Sequence, residues 1–196
     1  DLAKSVFQAH AIDQHGKKIF NKSIKRKSLI LFFANIEPCL VGMEACGGAN
    51  YWARRLKGLG HEVKIIPAQY VKPYVKTHKN DAVDAEAIAE AVTRPSMRFV
   101  SIKSVDQQDV QCLHRIRTRY IKNRTALSNE MRGLLTEYGI VFAIGIRKLK
   151  EKIPRFLEDP DNELTGLTRD LIQMLYSEFL EVSNRIKEMD ERINTV

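Results

Sequence analysis

The spacing of apolar positions changes character about halfway along this chain. Over residues 1–100, short runs of strand and helix type alternate. Val6 to Ile12 (VFQAHAI) and Lys18 to Ile24 (KIFNKSI) read as two strands joined by a turn at Gln14-His15-Gly16. Lys27 to Ile36 reads as a helix and Pro38 to Glu44 as a short buried strand. Gly47-Gly48 then leads into a helix from Ala49 to Leu59, with Trp52, Leu56 and Leu59 on a shared face and Gly60 as its stop. His61 to Pro67 is a further strand, and Asn80 to Thr93 a further helix, with Asn80 as N-cap and Pro95 just past its end. An antiparallel strand pair, then strand–helix–strand, then a helix predicts a mixed sheet flanked by helices.

From about Asp106 the strand signal stops. Val110, Leu113, Tyr120, Leu127, Met131, Leu134 and Tyr138 keep helical spacing. Gly139, Gly145, Pro154 and Pro160 interrupt it, with room for a short helix over Ile146 to Leu157. A long helix is predicted from about Glu163. Its apolar residues Leu175, Phe179, Val182, Ile186, Met189, Ile193 and Val196 step by four and three alternately. Such a heptad seam signals helix pairing, within the chain or between subunits; the alternative is an amphipathic helix packed on its own domain. The expected organisation is an α/β domain over 1–104, a long basic helix over 105–140, a connector over 141–162 and a coiled-coil helix over 163–196.

Composition narrows the class. The chain has 196 residues, 44% of them hydrophobic, enough for a core and an appendage. Its longest apolar stretch, Leu29 to Ile36, is far below the roughly 20 residues of a spanning helix. No signal peptide is visible, although a chain opening at Asp1 is expected to have lost its true start. Cys39, Cys46 and Cys112 lack paired spacing and read as reduced thiols of a cytosolic protein. A net charge of +8 favours polyanionic partners.

Within this basic chain, four acids stand where a nuclease-type metal site would need them. Asp1 opens a strand-like stretch, Glu44 closes an apolar run, and Asp81 and Asp84 lie one helical turn apart. Each has a plainer reading: acids in a helix's first turn serve its dipole, and Glu44 is also the first polar residue after a strand. Glu86 and Glu90 leave the identity of the helical pair open. If the fold brings the acids together, Mg²⁺ or Mn²⁺ is the fitting ion, because hard cations prefer carboxylate and water oxygens. Two such ions can activate an attacking oxygen and stabilise a leaving one in phosphodiester chemistry. The five histidines show no zinc-like spacing, and Gly42 to Asn50 (GMEACGGAN) lacks the G-x-G-x-x-G of a dinucleotide site. Basic residues cluster before Asp81 (Lys72, Lys76, His78, Lys79, with Tyr70 and Tyr74 interleaved). A second cluster, His114 to Arg124, holds Arg115, Arg117, Arg119, Lys122 and Arg124. The second is expected to track a phosphate backbone, with Tyr120 available for stacking, unless it is simply a solvated helix face.

Asp1-Leu2-Ala3-Lys4, Met43-Glu44-Ala45-Cys46-Gly47 and Lys79-Asn80-Asp81-Ala82-Val83-Asp84-Ala85 together resemble the DEDD insertion-sequence transposases. That family includes the Piv-type DNA invertases and the bridge-RNA-guided recombinases. The resemblance extends along the whole chain, and the K-x-D-x-x-D-A core with its Ala-rich helix is its most specific part. It implies a RuvC-like, RNase H-type fold in the N-terminal domain, with Asp1, Glu44, Asp81 and Asp84 as catalytic, metal-holding acids for Mg²⁺ or Mn²⁺. It further implies a dimerising coiled coil and a C-terminal domain, absent from this chain, that supplies a serine nucleophile. Ser5 and Ser104 match no such nucleophile. The implied partners are DNA, a homodimer or higher oligomer through the coiled coil, and in the guided members a structured RNA; the implied location is the bacterial cytoplasm, at the nucleoid. Lys76, Lys79 and the α-helical cluster at 115–124 would be the nucleic-acid contacts. The family's first acid follows apolar residues that complete its strand, and these are missing before Asp1. Two other readings stand beside this one: a nucleic-acid-binding and dimerisation module without metal chemistry, and a free-standing nuclease for branched DNA.

Overall fold

A computed structural model describes residues 1–75 and 80–196. The chain falls into two compact units, Asp1–Ser104 and Val105–Val196. Among the described residues no helix is long and apolar enough to cross a membrane.

The first unit is mixed α/β. Strand β1 (Val6–Ile12) pairs antiparallel with β2 (Lys18–Lys25), Phe7 opposite Ile24 on the buried face. Asp13 fixes the turn between them, its carboxylate accepting from the N–H groups of His15 and Lys17 at 2.8 and 2.9 Å. Gly16 supplies the left-handed residue with φ of +80°. A 3-10 turn (Arg26–Ser28) leads into helix α1 (Leu29–Ala34), shorter at both ends than the predicted helix. The Asn35 side chain donates to Leu31 O at 2.7 Å, and Pro38 follows. Strand β3 (Leu40–Glu44), helix α2 (Ala49–Lys57) and strand β4 (Glu62–Ile66) make a parallel crossover. Ala49, Trp52, Ala53 and Leu56 are the buried stripe of α2, while Leu59 lies beyond the helix, half-buried against the same core. Gly60, with φ of +91°, donates to Lys57 O at 3.0 Å as His61 N–H reaches Leu56 O at 3.3 Å, a Schellman closure.

His61 is buried and ties three segments. Its Nδ1 accepts from Cys39 N–H at 3.2 Å, so the proton sits on Nε2, which donates to Phe33 O at 3.1 Å. After β4 come α3 (Ala68–Val71) and α4 (Asp81–Val92). Asn80 caps α4 as predicted, Oδ1 accepting from Val83 N–H at 3.0 Å.

The single mixed sheet predicted from the pattern is not what the described residues form. They carry two two-stranded sheets, β1–β2 and β3–β4, bridged by α4, which packs against both β1 and β3. Asp1 and Leu2 pair with β1 only beside Phe7 and Gln8. Beyond them a cleft of about 690 Å³ opens, with residues 9–12 on one side and 40–43 on the other, so no ladder joins the strands there. The cleft also leaves β3 less buried than expected: Met43 is enclosed, whereas Leu40 is 38% exposed.

The second unit is helical: α5 (Val105–Thr136), α6 (Ile146–Glu158) and α7 (Gly166–Asn194). Arg117 on α5 pairs with Asp190 near the end of α7, while Tyr138 just past α5 shares a 2.8 Å hydrogen bond with Thr168 at the start of α7. The two long helices therefore run antiparallel. Leu127, Met131 and Leu135 of α5 meet Leu149 and Ile153 of α6 and Ile172, Phe179, Val182 and Ile186 of α7 in one core. Most of the heptad seam is thus spent inside the unit; Ile193 is half-buried and Val196 is 80% exposed past the helix end. Pro154 sits inside α6 and cannot donate to the carbonyl of Lys150, one turn earlier. The hydroxyl of Tyr176 fills that place, donating to Lys150 O at 3.1 Å. Arg169 satisfies the end of α6, its guanidinium reaching the carbonyls of Phe156, Leu157 and Asp159 at 3.1, 2.7 and 2.8 Å.

Two substitutions probe this framework. A Cβ at Gly42 would lie 2.8 Å from Val92 Cβ. Gly42→Ala is therefore expected to destabilise the first unit by about 1–3 kcal/mol, read as a lower midpoint in chemical denaturation. Tyr176→Phe is expected to cost about 1–2 kcal/mol through the stranded Lys150 carbonyl, while Tyr176→Phe combined with Pro154→Ala should recover most of it.

Candidate functional site

Three elements deliver the four predicted acids. Glu44 is the last residue of β3, where the apolar strand gives way to the Gly47-Gly48 turn. Asp81 and Asp84 occupy the first turn of α4, Asp81 exposed and Asp84 half-buried. The N-terminus of α4 is held from outside: Asn21 on β2 donates to Ala82 O at 3.3 Å. Asp1 is pinned to β1, its amine donating to Gln8 O at 2.7 Å and its carbonyl accepting from Gln8 N–H at 3.1 Å.

The Asp1 amine registers how these elements converge. Burial pushes its pKa below the usual value, and charges on Cys46, Asp81, Asp84 and Glu44 all pull the other way. The fields of Glu44, Asp81 and Asp84 therefore add at one buried atom at the end of the chain. Among the described residues, however, no three His, Cys, Asp or Glu side chains approach closely enough to hold an ion. The donor chemistry suits a hard cation, but as placed the carboxylates do not close a ligand set, and no catalytic step can be drawn through one.

Cys46 belongs to this neighbourhood, and sequence reasoning missed it. Its thiol is pushed up by burial and by Glu44, against the amine of Asp1. A lone cysteine after Glu44 carries no spacing signal that would have marked it. The neighbouring acids of α4 separate out: Glu90 pairs with Arg94 at 2.6 Å, and Glu86 acts on His10. Of the glycines in the segment 42–50, Gly42 makes room for Val92, and Gly48, with φ of +93°, turns the chain into α2.

The basic candidates divide. Lys76 and Lys79 lie outside the described residues. On α5, Arg115, Arg119 and Lys122 are exposed at helical intervals of four and three, one outward stripe. Arg117 and Arg124 are half-buried; Arg117 pairs with Asp190, and Arg124 Nε is buried with no hydrogen-bond partner among the described residues. Tyr120 is not offered for stacking: it packs against the helical core, with the Arg119 and Arg185 guanidinium groups 5.0 and 5.8 Å from its ring centre.

Comparison with known proteins adds to this geometry. Residues 1–140 match the family of DEDD transposases of the IS110 type, described as transposase. Over 196 residues the chain is 46% identical to the transposase for insertion sequence element IS1111A of Coxiella burnetii, covering all of this chain and 54% of that protein. It is 46% identical to a probable family 20 transposase of Pseudomonas aeruginosa, over 95% of this chain and 58% of the relative. It is 38% identical to the transposase for insertion sequence element IS1328 of Yersinia enterocolitica, over 98% of this chain and 57% of the relative. The chain thus spans about half the length of the curated relatives it matches. No solved structure gives a significant match.

If Glu44, Asp81 and Asp84 act on one point, removing any one of the three weakens the upward pull on the Asp1 amine. Glu44→Gln, Asp81→Asn and Asp84→Asn are each expected to lower its pKa further, read from the pH dependence of N-terminal acylation. An unchanged profile in Asp84→Asn would detach that residue from the group.

Proposed function

The chain belongs to the DEDD transposase family, and on that basis we propose that it is the acidic, DNA-facing half of a transposase active site. In this reading the parent enzyme cleaves and rejoins DNA as an insertion sequence moves. Asp1, Glu44, Asp81 and Asp84 hold Mg²⁺ or Mn²⁺, and a domain outside this chain brings a serine nucleophile. The observation that carries it is the placement of Glu44 at the end of β3 and of Asp81 and Asp84 in the first turn of α4, the helix that packs against that strand. Two separate elements, in a chain of net charge +8, present this negative charge. A structural role for each acid alone does not require that placement.

Acids gathered near one another need a counter-charge, and a divalent cation is the group that supplies it. Such an ion would supply charge neutralisation at the phosphate and a polarised oxygen. The carboxylates would orient it, and the buried floor around Met43 would limit water. The RuvC-like, RNase H-type reading of the fold belongs to the same proposal. An extended segment laid in the cleft between β1 and β3 would join the two small sheets into one mixed sheet. The exposed stripe Arg115, Arg119 and Lys122 serves as a phosphate track. Self-association belongs to the same proposal, as does a structured guide RNA as partner. Because the α7 seam is filled by α5 of the same chain, self-association would need another surface.

The absence of a closed ligand set among the described residues favours one alternative, a nucleic-acid-binding module without metal chemistry. Calorimetry with Mn²⁺ decides between the two, using the chain acetylated at its N-terminus so that the amine is neutral. Binding is expected, weakened about 10–100-fold in Asp84→Asn, with no cutting of branched DNA by this chain alone. No heat at millimolar Mn²⁺ would favour the module, and cutting that Asp84→Asn abolishes would favour a free-standing nuclease.

A further inference from the structure

A second basic run, as dense as the one on α5, lies in the first unit. Lys17, Lys18, Lys22, Lys25, Arg26 and Lys27 occupy eleven consecutive residues that contain no acid. Most of these lysines line β2, where charge also protects an open strand edge. Arg26 is different, because the fold places it on aromatic rings. Its guanidinium lies 5.1 Å from the centre of the Trp52 ring and 5.7 Å from that of Phe7. Its Nη1 donates to Lys4 O at 3.3 Å, and its backbone N–H to Ser5 O at 2.9 Å, so Lys4 and Arg26 are neighbours.

Trp52 extends the patch along α2. Tyr51 stands edge-on to it, ring centres 4.9 Å apart and planes at 81°, and remains 45% exposed. Arg55, one turn further and exposed, shares that side of the helix with Tyr51. Among the described residues no carboxylate pairs with Lys4, Arg26 or Arg55. The patch also adjoins the acids. Trp52 N–H bonds Gly48 O at 3.1 Å, on the turn that follows Glu44, and Cys46 Sγ lies 4.0 Å from Leu2 O, two residues before Lys4.

We infer that Lys4, Arg26, Tyr51 and Arg55 form a shelf for one polynucleotide strand, its phosphates on the three cations and a base on the Tyr51 ring. Three cations around an exposed aromatic ring form the pairing that binds single strands without reading sequence. A stabilising role for Arg26 on Trp52 does not account for Lys4 and Arg55, whose charges no carboxylate takes up among the described residues, or for the part of the Tyr51 ring left open beyond its edge contact with Trp52. The shelf leads a strand toward Glu44 and the start of α4. This rests on the nucleic-acid reading above.

Trp52 is the single tryptophan of the chain and lies under the shelf, so it reports occupancy directly. The 196-residue chain is titrated with oligo-dT and oligo-rU of about 15 nucleotides, following oligonucleotide anisotropy and Trp52 emission together. Binding is expected to change Trp52 emission. Tyr51→Ala should weaken it about tenfold, and Lys4→Gln with Arg55→Gln should lower the salt slope by roughly 1.4, with thermal midpoints unchanged. The ratio of the dT to the rU affinity states whether the shelf serves DNA or RNA. Binding that leaves Trp52 silent, ignores these variants and falls with Arg115→Gln, Arg119→Gln and Lys122→Gln overturns the shelf and keeps the nucleic-acid reading. A chain that binds neither oligonucleotide at low salt overturns both.

Discussion

The close seat of α4 on β3 is the constraint on which the first unit depends. Residue 42 has no room for a side chain because Val92 presses against it, so the helix and the strand lie in fixed register. Val92 closes one end of α4 and the acids open the other. The Val92 contact, the Asn80 cap and the bond from Asn21 to Ala82 O together hold the helix from both ends. Asp81 and Asp84 are thereby fixed in the first turn of a helix seated on β3, the strand that Glu44 ends. Small buried residues on α4, Ala85, Ala87 and Ala91, let it approach the strands without a thick layer between. The acids' position is a consequence of packing made elsewhere on the helix.

Local chemistry was legible along the chain; partners were not. Asn80 announced a cap, Gly60 a helix stop, and Gln14-His15-Gly16 a turn, since each acts through its own or adjacent backbone groups. The pairing of β1 with β2 followed from alternation on either side of that turn. The split into two small sheets was hidden, because whether β1 meets β3 depends on what lies between their edges, and no residue within either strand encodes that. The density of arginine on α5 was visible, but the division into an outward stripe at 115, 119 and 122 and inward residues at 117 and 124 was not. That division is set by where α7 lies, as the bond from Arg117 to Asp190 shows. Cys46 escaped for the same reason, its neighbourhood being made by Asp1 and α4.

The heptad seam of α7 separates a period from its use. Its four–three spacing identified a helix that pairs along one face, and Phe179, Val182, Ile186 and Met189 are buried. Their partner is α5 of the same chain, through Leu127, Met131 and Leu135. The second unit then needs its short helix completed from outside. Arg169 gathers the open carbonyls at the end of α6, and Tyr176 replaces the donor that Pro154 lacks. Pro154, nine residues after Gly145 and within the short helix allowed over Ile146 to Leu157, reads along the sequence only as an interruption. Here it is absorbed because a tyrosine one helix away is at hydrogen-bonding distance.

In the function proposed above, the charge distribution would let one site handle polyanions in two ways at once. A carboxylate group alone repels a phosphate backbone, and a basic surface alone binds one without acting on it. In the first unit the two lie side by side: Glu44, Asp81 and Asp84 act on one buried atom, and Arg26 with Lys4 sits on the rings of Phe7 and Trp52 just beyond the turn that carries Glu44. Trp52 couples them physically, since it is held by the backbone of Gly48 on the acid side and covered by Arg26 on the basic side. Seating on the faces of Phe7 and Trp52 gives the Arg26 guanidinium a partner other than a carboxylate. The opposite charges are each fixed by a different neighbour, the acids by α4 and β3 and the arginine by the indole.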